Sequence, residues 1–197
     1  MNNESDPCIV VLTAPSGSGK TTIASRLLQL IDGIRFSISA TTREPRPNEE
    51  DGVHYHFLSQ DQFEQERDAG RLVEYEEVYP GCSYGTLMSE VERSSTAAPI
   101  LLDIDVKGAS NVKRLYGELA LVIFVCPPSI AVLKERLRNR KTESDDAFQI
   151  RLDRVEMELT FQDRFDYKVV NDVLDDAVSE TAAHVANFLD RASNGAN

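Results

Sequence analysis

A short glycine-rich loop between an apolar run and a helical pattern constrains the fold of this chain more than any other feature of its sequence. The apolar run covers residues 9–12, the loop covers residues 14–19, and Lys20 and Thr21 begin the helical pattern. Glycines allow the loop backbone to curl until successive N–H groups point inward, and the following helix presents its unpaired N-terminal amides to the same point. The order of strand, loop and helix therefore predicts a binding site for a chain of phosphates.

The loop matches the triphosphate-binding pattern G-x-x-x-x-G-K-[ST] at every fixed position except the first, where Ala14 replaces glycine. Lys20 supplies a mobile positive charge for the β- and γ-phosphates, and the Thr21 hydroxyl is suited to bind the Mg²⁺ that accompanies a nucleoside triphosphate. The alternative is a turn that binds nothing, but such a turn gives Lys20 and Thr21 no packing role. The residues predicted to bind the triphosphate are Ala14, Pro15, Ser16, Gly17, Ser18, Gly19, Lys20, Thr21 and Thr22.

Composition and charge limit the partners that the chain can have. Its 197 residues are enough for one packed domain, and a net charge of −12 argues against non-specific binding to nucleic acid or to an anionic membrane. The three cysteines lack Cys-x-x-Cys spacing, which predicts neither a disulfide framework nor a zinc site; Cys8 and Cys126 lie in apolar runs and are predicted to be core thiols. With no apolar run near ~18 residues, we expect a cytoplasmic protein, and nothing in the sequence indicates an obligate protein partner.

Long apolar runs predict the strands of the core. Residues 100–105 and 121–125 have the largely continuous apolar pattern of strands that are buried on both faces of a parallel sheet. Together with residues 9–12 and 167–171 they predict at least four parallel strands, and helical patterns separate them along the chain. This alternation predicts an α/β fold with helices on both faces of the sheet.

The stretch between the first and the later core strands, about residues 36–95, is more polar and carries short strand patterns. Ser59 and Gln62 have the spacing of a capping box at the start of a helix. Arg43 and Arg46 lie in a loop stiffened by prolines, where they could bind a phosphate through charge-assisted hydrogen bonds or simply face solvent. This stretch is predicted to form a mixed α+β lobe inserted into the main fold.

Two carboxylates follow a core strand at the edge where open α/β sheets bind their ligands. Asp103 comes directly after three apolar residues, and a carboxylate at this position can orient Mg²⁺ directly or through water. Asp105 points the same way if the strand continues, or else it caps the helix that follows. His54 and His56 alternate along one predicted strand, but a metal site is not predicted because no third ligand is nearby.

Several segments, in this order along nearly the whole chain, resemble guanylate kinases: residues 14–21, 39–46, 84–86, 102–108 and 170–172. The resemblance implies transfer of the γ-phosphoryl group of ATP to GMP, giving ADP and GDP in purine nucleotide metabolism, with Mg²⁺ as the cofactor. It implies a three-layer P-loop NTPase core with a parallel sheet, an inserted GMP-binding lobe and a mobile lid. Within a single domain, 1–197, the core is expected at about 7–35 and 96–192, the GMP-binding lobe at about 36–95 and the lid at about 138–152.

The resemblance also assigns residues to the acceptor nucleotide. Ser39, Glu74 and Thr86 match residues that recognise guanine, and a carboxylate can accept from both N1–H and the 2-amino group, which adenine does not offer. Glu76 and Glu77 are neighbouring carboxylates on the same strand, and any of the three glutamates could instead face solvent. The residues implied in GMP binding are Ser39, Arg43, Arg46, Tyr55, Glu74, Tyr84, Thr86 and Asp105; dGMP is a further candidate substrate.

On the donor side, the resemblance places Asn171 near the adenine and Arg136, Arg140 and Arg151 in the lid and its flanking helices. Arginines there would stabilise charge on the transferring phosphoryl group. The residues implied in catalysis are Lys20, Arg43, Arg136, Arg140 and Arg151, and those implied in binding Mg²⁺, partly through water, are Thr21 and Asp103. A general base is not needed, because the attacking phosphate oxygen of GMP is already anionic near neutral pH.

The chain departs from the family pattern at a few positions. Asn48 replaces a glycine in a turn, where asparagine can adopt the left-handed conformation, and Asn139 and Lys141 replace lid glycines. Ser83 stands where a second tyrosine is common. Alternatives to the enzyme are a non-catalytic guanylate-kinase-like module that binds phosphorylated protein segments, and another nucleoside monophosphate or small-metabolite kinase. The presence of Lys20, Thr21 and Asp103 favours a kinase that binds a triphosphate, and Glu74 with Ser39 favours guanine.

Overall fold

The computed structural model describes residues 6–79, 81–138 and 145–194, without the side chains of residues 78, 79, 145–148, 150 and 151. The strands are β1 (Ile9–Thr13), β2 (Arg35–Phe36), β3 (Ala40–Thr41), β4 (His56–Phe57), β5 (Leu72–Tyr79), β6 (Cys82–Leu87), β7 (Ile100–Asp103), β8 (Ala120–Cys126) and β9 (Tyr167–Val170). The helices are α1 (Lys20–Leu30), α2 (Gln60–Asp68), α3 (Met88–Glu92), α4 (Val106–Tyr116), α5 (Ile130–Arg138), α6 (Asp145–Leu159) and α7 (Leu174–Asn194), with a 3₁₀ turn at Gly117–Leu119.

The core is a parallel sheet with strand order β2-β7-β1-β8-β9. Both faces of β1 are apolar because both are covered: Val10 and Leu12 belong to a cluster with residues of α1 and α7, while Ile9 and Val11 join a cluster with residues of α4. The helices and the sheet therefore form three layers, which confirms the predicted α/β fold. The sheet has one strand more than the predicted minimum, because the two-residue strand β2 pairs with β7 at its edge.

A second, mixed sheet has the order β4-β3-β6-β5, in which β3 and β4 are parallel and the other pairs are antiparallel. Helix α2 follows β4, and its predicted capping box is confirmed: Ser59 Oγ accepts from the backbone N–H of Gln62, and Gln62 Oε1 accepts from the backbone N–H of Ser59. Phe63 is completely buried and anchors α2. The inserted lobe of mixed α+β structure is therefore present as predicted.

The direction of the core strands brings the predicted site residues to one edge. Leu12 pairs with Asp103 across β1 and β7, and Cys126 pairs with Val170 across β8 and β9. Because these strands are parallel, the loop after β1, the residues after β7 and Asn171 after β9 all emerge at their carboxyl ends. The sheet thus places distant parts of the sequence around the phosphate loop.

The three cysteines differ in their burial. Cys8 and Cys126 are buried thiols, as predicted, and Cys82 is partly exposed; all three are free. Burial raises the pKa of the Cys8 thiol to about 11, so this thiol stays protonated near neutral pH. None of the helices in the described ranges combines the length and the apolar composition needed to cross a membrane.

Candidate active site

The phosphate loop has the conformation that its glycines were expected to provide. Gly17 and Gly19 both have φ of 88°, in the left-handed region that side chains with a Cβ disfavour. Alanine is accommodated at position 14, where the pattern has glycine, because the backbone there does not have a positive φ. Among the described residues other than glycine, only Asn48 does. Gly19 immediately precedes α1, so the curled backbone leads straight into the helix N-terminus.

Three residues predicted for triphosphate and metal binding meet at the start of α1. The ammonium Nζ of Lys20 lies 2.6 Å from Asp103 Oδ1 and donates to the backbone carbonyl of Ile104 at 2.7 Å. The Thr21 hydroxyl donates to Asp103 Oδ2 at 2.9 Å. A hydroxyl and a carboxylate oxygen held this close form a donor set that suits a hard cation such as Mg²⁺.

Asn171 contacts the phosphate loop directly. Its side-chain Nδ2 donates to the carbonyl of Ser18 at 2.8 Å, and its own carbonyl accepts from the Arg136 guanidinium at 3.3 and 3.2 Å. A Cβ on Gly19 would lie 2.3 Å from Asn171 Nδ2, so a glycine is needed for this approach. Asn171 therefore fixes the loop and links it to α5, in addition to any contact with adenine.

Replacing Asn171 by alanine should weaken every triphosphate to a similar extent. Removing one buried hydrogen bond to the loop corresponds to about a tenfold loss of affinity. We expect the KM for ATP and the inhibition constant of tripolyphosphate to rise together. Asn187→Ala, which changes an exposed asparagine of α7, is the control and should alter neither value. A loss confined to ATP would show that Asn171 acts on the adenine ring instead.

A cavity of about 250 Å³ lies between β5 and the start of α4, lined by Glu74, Glu76, Asp105 and Gly108 among others. Glu74 Oε1 accepts a hydrogen bond from the Thr86 hydroxyl at 2.7 Å. Burial raises the pKa of the Glu74 carboxyl to about 7, because the ionised form loses hydration. The Thr86 hydrogen bond opposes this shift, and the nearby Asp105 and Glu76 charges add to it.

Asp105 caps α4, one of the two roles that its sequence position left open. Strand β7 ends at Asp103, and Asp105 Oδ1 accepts from the backbone N–H of Gly108 at 2.8 Å. Its carboxylate nevertheless lines the cavity next to Glu74. Ser39 lies in the segment between β2 and β3, where its carbonyl accepts from the backbone N–H of His56.

Gly108 determines how closely α4 approaches Glu74. An added Cβ would lie 2.9 Å from Glu74 Cγ and 3.3 Å from Asp105 Oδ1, although Gly108 itself does not have a positive φ. Gly108→Ala should therefore leave the helix intact and displace the Glu74 side chain; with Glu74 in the guanine-binding role that the resemblance implies, the KM for GMP should rise about tenfold or more. Steady-state kinetics with Ser110→Ala as a control on the same helix test this. An unchanged KM for GMP would mean that the Glu74 position is not critical.

A second cluster joins residues predicted to bind the acceptor phosphate. Arg43 Nε donates to the Tyr84 hydroxyl at 3.3 Å, and the Arg43 guanidinium lies 5.3 Å from the centre of the Tyr55 ring. Arg43 also forms two hydrogen bonds to the carboxylate of Glu49, at 2.8 and 2.9 Å. The backbone N–H of Arg46 donates to the same carboxylate, and these contacts lower the pKa of Glu49 to about 2.

Sequence reasoning missed Glu49, although an acidic residue shortly after two arginines was a usable signal. The turn that brings Glu49 back to Arg43 contains Asn48 with φ of 84°, so the predicted left-handed asparagine is confirmed. Glu49 holds the guanidinium in a fixed orientation beside the Tyr84 hydroxyl. The Tyr84 hydroxyl, which accepts from Arg43 Nε, keeps its own proton free to donate to an anionic phosphate.

The structure describes the side chain of only one of the three arginines predicted for the lid and its flanking helices. Arg136 lies on α5 next to Asn171, as described above. Arg140, with Asn139 and Lys141, lies outside the described residues, and Arg151 lies on α6 without a described side chain. His56 pairs with Glu90, and the described part of the chain contains no group of three or more His, Cys, Asp or Glu placed to hold a metal.

Comparison with known proteins agrees with this arrangement. A model of the guanylate kinase family matches residues 7–190. The guanylate kinase of Salinibacter ruber is 58% identical over 184 residues, which cover 93% of this chain and 98% of that protein. The guanylate kinase of Chlorobium luteolum is 48% identical over 182 residues, which cover 92% of each protein. A crystal structure of guanylate kinase from Anaplasma phagocytophilum superposes with a TM-score of 0.67 at 30% identity, over 95% of this chain and 86% of that one.

These matches extend over nearly the whole chain and include both the phosphate loop and the second sheet. The chain belongs to the guanylate kinase family of ATP:GMP phosphotransferases.

Proposed function

We propose that this ATP:GMP phosphotransferase binds ATP at the phosphate loop and GMP in the cavity between β5 and α4. The observation that carries the proposal is the cluster of Lys20, Thr21 and Asp103, with Lys20 Nζ 2.6 Å from Asp103 Oδ1. Glu74 lies at the neighbouring cavity, held by the Thr86 hydroxyl. A donor site and an acceptor site thus share one edge of the sheet, as transfer between two nucleotides requires.

On the acceptor side, the ionised Glu74 carboxylate would accept from N1–H and the 2-amino group of guanine, with Ser39 and Thr86 nearby. Asp105 lines the same cavity. The GMP phosphate would bind at the second cluster, formed by Arg43, Arg46, Tyr55 and Tyr84. Because the base and phosphate contacts do not involve the 2′ position of the sugar, we propose that dGMP is also a substrate.

On the donor side, the backbone N–H groups of residues 14–19 would bind the phosphates of ATP, and Lys20 would neutralise charge on the β- and γ-phosphates. Thr21 and Asp103 would hold Mg²⁺, which when bound neutralises charge on the triphosphate. Arg136, Arg140 and Arg151 would approach the transferring phosphoryl group from the lid side.

Catalysis in this proposal consists of positioning and charge neutralisation. The acceptor oxygen needs no general base, because a phosphate monoester is largely ionised near neutral pH, with a second pKa of about 6. The lid, about residues 138–152, would close over the nucleotides and exclude the water that otherwise competes as the acceptor. The core at about 7–35 and 96–192 and the GMP-binding lobe at about 36–95 then act as the two sides of the cleft.

The non-catalytic alternative, a module that binds phosphorylated protein segments, would need only the Arg43 and Tyr84 cluster. The close contacts of Lys20 and Thr21 with Asp103 favour catalysis, since phosphopeptide binding gives them no role. We place the protein in the cytoplasm and assign it no nucleic-acid, membrane or obligate protein partner, in keeping with its net charge of −12.

A coupled ADP-release assay with ATP and Mg²⁺, offering GMP, AMP, CMP and UMP in parallel, tests the proposal. Turnover with GMP alone is expected, because only guanine presents two donors to Glu74. Comparable turnover with AMP would contradict the assignment of the base-binding cavity. A folded protein that binds GMP but turns over none of the four nucleotides would support the non-catalytic alternative.

A further inference from the structure

One arginine outside the predicted site connects three separate parts of the molecule. Arg154 lies on α6, and its Nε donates to Glu158 Oε1 at 3.0 Å, one turn further along the helix. Its Nη2 donates to Glu76 Oε2 on β5 at 3.0 Å and lies 3.6 Å from Asp105 Oδ2 at the start of α4. A single guanidinium thus joins α6, the second sheet and the core.

The contact with Glu158 distinguishes Arg154 from an ordinary surface arginine. Glu158 is only 4% exposed, and its Oε1 oxygen accepts the hydrogen bond from Arg154 Nε. Burial raises the pKa of Glu158, and the Arg154 charge opposes that shift. An exposed ion pair contributes little to stability, but a buried carboxylate within the network restricts the positions that the guanidinium can adopt.

The other two partners of Arg154 line the GMP cavity. Glu76 and Glu74 are two residues apart on β5 and both face that cavity, where Asp105 meets them from α4. Three carboxylates around one cavity would repel one another and an incoming anion. Arg154 pairs with Glu76 and Asp105, which leaves Glu74 as the carboxylate available to guanine.

We propose that Arg154 is a positioning residue for the acceptor site: it holds β5 against α6 through Glu76 and screens the Glu76 and Asp105 charges from Glu74. The proposal rests on the assignment of GMP to this cavity. Loss of Arg154 would leave two uncompensated carboxylates beside Glu74 and loosen the contact between the second sheet and α6. Both effects weaken GMP binding and leave the phosphate loop contacts of Lys20 and Thr21 unchanged.

The test is steady-state kinetics of Arg154→Gln, Glu76→Gln and the double variant between pH 6 and pH 8.5. Arg154→Gln should raise the KM for GMP about tenfold and change the KM for ATP less than about twofold. The pH midpoint of the KM for GMP should move to higher pH. Without Arg154, the unpaired negative charges of Glu76 and Asp105 face Glu74 and raise its pKa, and the positive charge of Lys20, which opposes them, is more distant. In the double variant the loss should be smaller than in Arg154→Gln, since one unpaired carboxylate is gone.

Two further variants keep the result interpretable. Arg154→Lys retains the charge without the fork geometry and should recover part of the GMP affinity. Arg67→Gln removes a partly exposed arginine that pairs with Asp68 on α2 and should change no kinetic constant. Thermal melts of each variant show whether it folds like the wild type.

Several results would overturn the proposal. These are an unchanged KM for GMP in folded Arg154→Gln, equal rises in the KM for GMP and ATP, and effects of Arg154→Gln and Glu76→Gln that simply multiply in the double variant. Calorimetric titration of GMP into the same variants gives the affinity without turnover. It separates a failure of this proposal from a failure of the assigned kinase activity, because it applies even to an inactive protein.

Discussion

Replacing Lys20 by alanine is expected to abolish phosphoryl transfer while the protein still binds GMP. The change removes the ammonium that lies 2.6 Å from Asp103 and that would neutralise the triphosphate. Loss of a charge aimed at the developing negative charge costs about 10³-fold in turnover. The coupled ADP-release assay gives the rate, and calorimetric titration of both proteins at pH 8.5, well above the wild-type pKa of Glu74 of about 7, gives the affinity for GMP.

Lys168→Ala is the matched control, because it removes the same ammonium group from β9 of the core sheet, where Lys168 forms an exposed pair with Asp163. Its turnover should match that of the wild type. If Lys20→Ala lost GMP affinity as severely as it lost turnover, the separate donor and acceptor roles assigned here would be wrong.

Replacing Glu74 by glutamine should weaken GMP binding about 10²-fold or more and leave ATP binding nearly unchanged. An amide offers a donor where guanine also presents donors, so one hydrogen bond is replaced by a repulsive contact. The hydroxyl of Thr86, now 2.7 Å from a Glu74 oxygen, can still pair with the amide oxygen, so the side chain should keep its place. Equilibrium titration of each nucleotide measures the two affinities.

The raised pKa of Glu74 also predicts how the free energy of unfolding of this variant differs from that of the wild type. The native carboxyl keeps its proton up to about pH 7, while the unfolded carboxyl releases it near its ordinary value of 4.5. The folded state therefore binds more protons in this window, and the contribution of Glu74 to the free energy of unfolding falls as the pH rises from about 4.5 to about 7. Glu74→Gln should accordingly be more stable than the wild type at pH 8, on the order of 1–3 kcal/mol.

The same protonation governs GMP binding in the wild type. Below about pH 7 the Glu74 proton must leave before guanine binds, so the KM for GMP should rise by up to about tenfold per pH unit. The GMP phosphate also gains a proton near a pKa of about 6, and Glu74→Gln isolates that contribution because it lacks the carboxyl. Identical pH profiles for the two proteins, or an unchanged GMP affinity, would assign guanine recognition to a neighbouring carboxylate such as Glu76 or Glu77.

The sequence predicted well those features that depend on local pattern. The strand, glycine loop and helix around Lys20, the capping box of Ser59 and Gln62, and the left-handed Asn48 each depend on a few consecutive residues. Strand β2 was not predicted as part of the core sheet, because the strand pattern that begins at Phe36 was assigned to the inserted lobe at about residues 36–95. Its place is determined by pairing with β7, which is distant in sequence.

Contacts between residues that are distant in sequence could not be predicted from local sequence patterns. Nothing near Arg154 in the sequence indicates that it meets Glu76 and Asp105, since those residues reach it from other elements. The resemblance placed Asn171 near adenine, but only the pairing of β8 with β9 explains how its side chain reaches the Ser18 carbonyl. Such residues are assigned through the tertiary structure, which determines their partners and burial.

The measurement that tests the central claim most directly is ³¹P NMR of the protein with Mg²⁺, ATP and GMP, following all phosphorus species in one sample. The account predicts that ADP and GDP appear in equal amounts as ATP and GMP disappear, with little inorganic phosphate. Formation of ADP with inorganic phosphate and no GDP would contradict transfer to the bound nucleotide, and the absence of any change in a folded protein would contradict the catalytic role of the Lys20, Thr21 and Asp103 cluster.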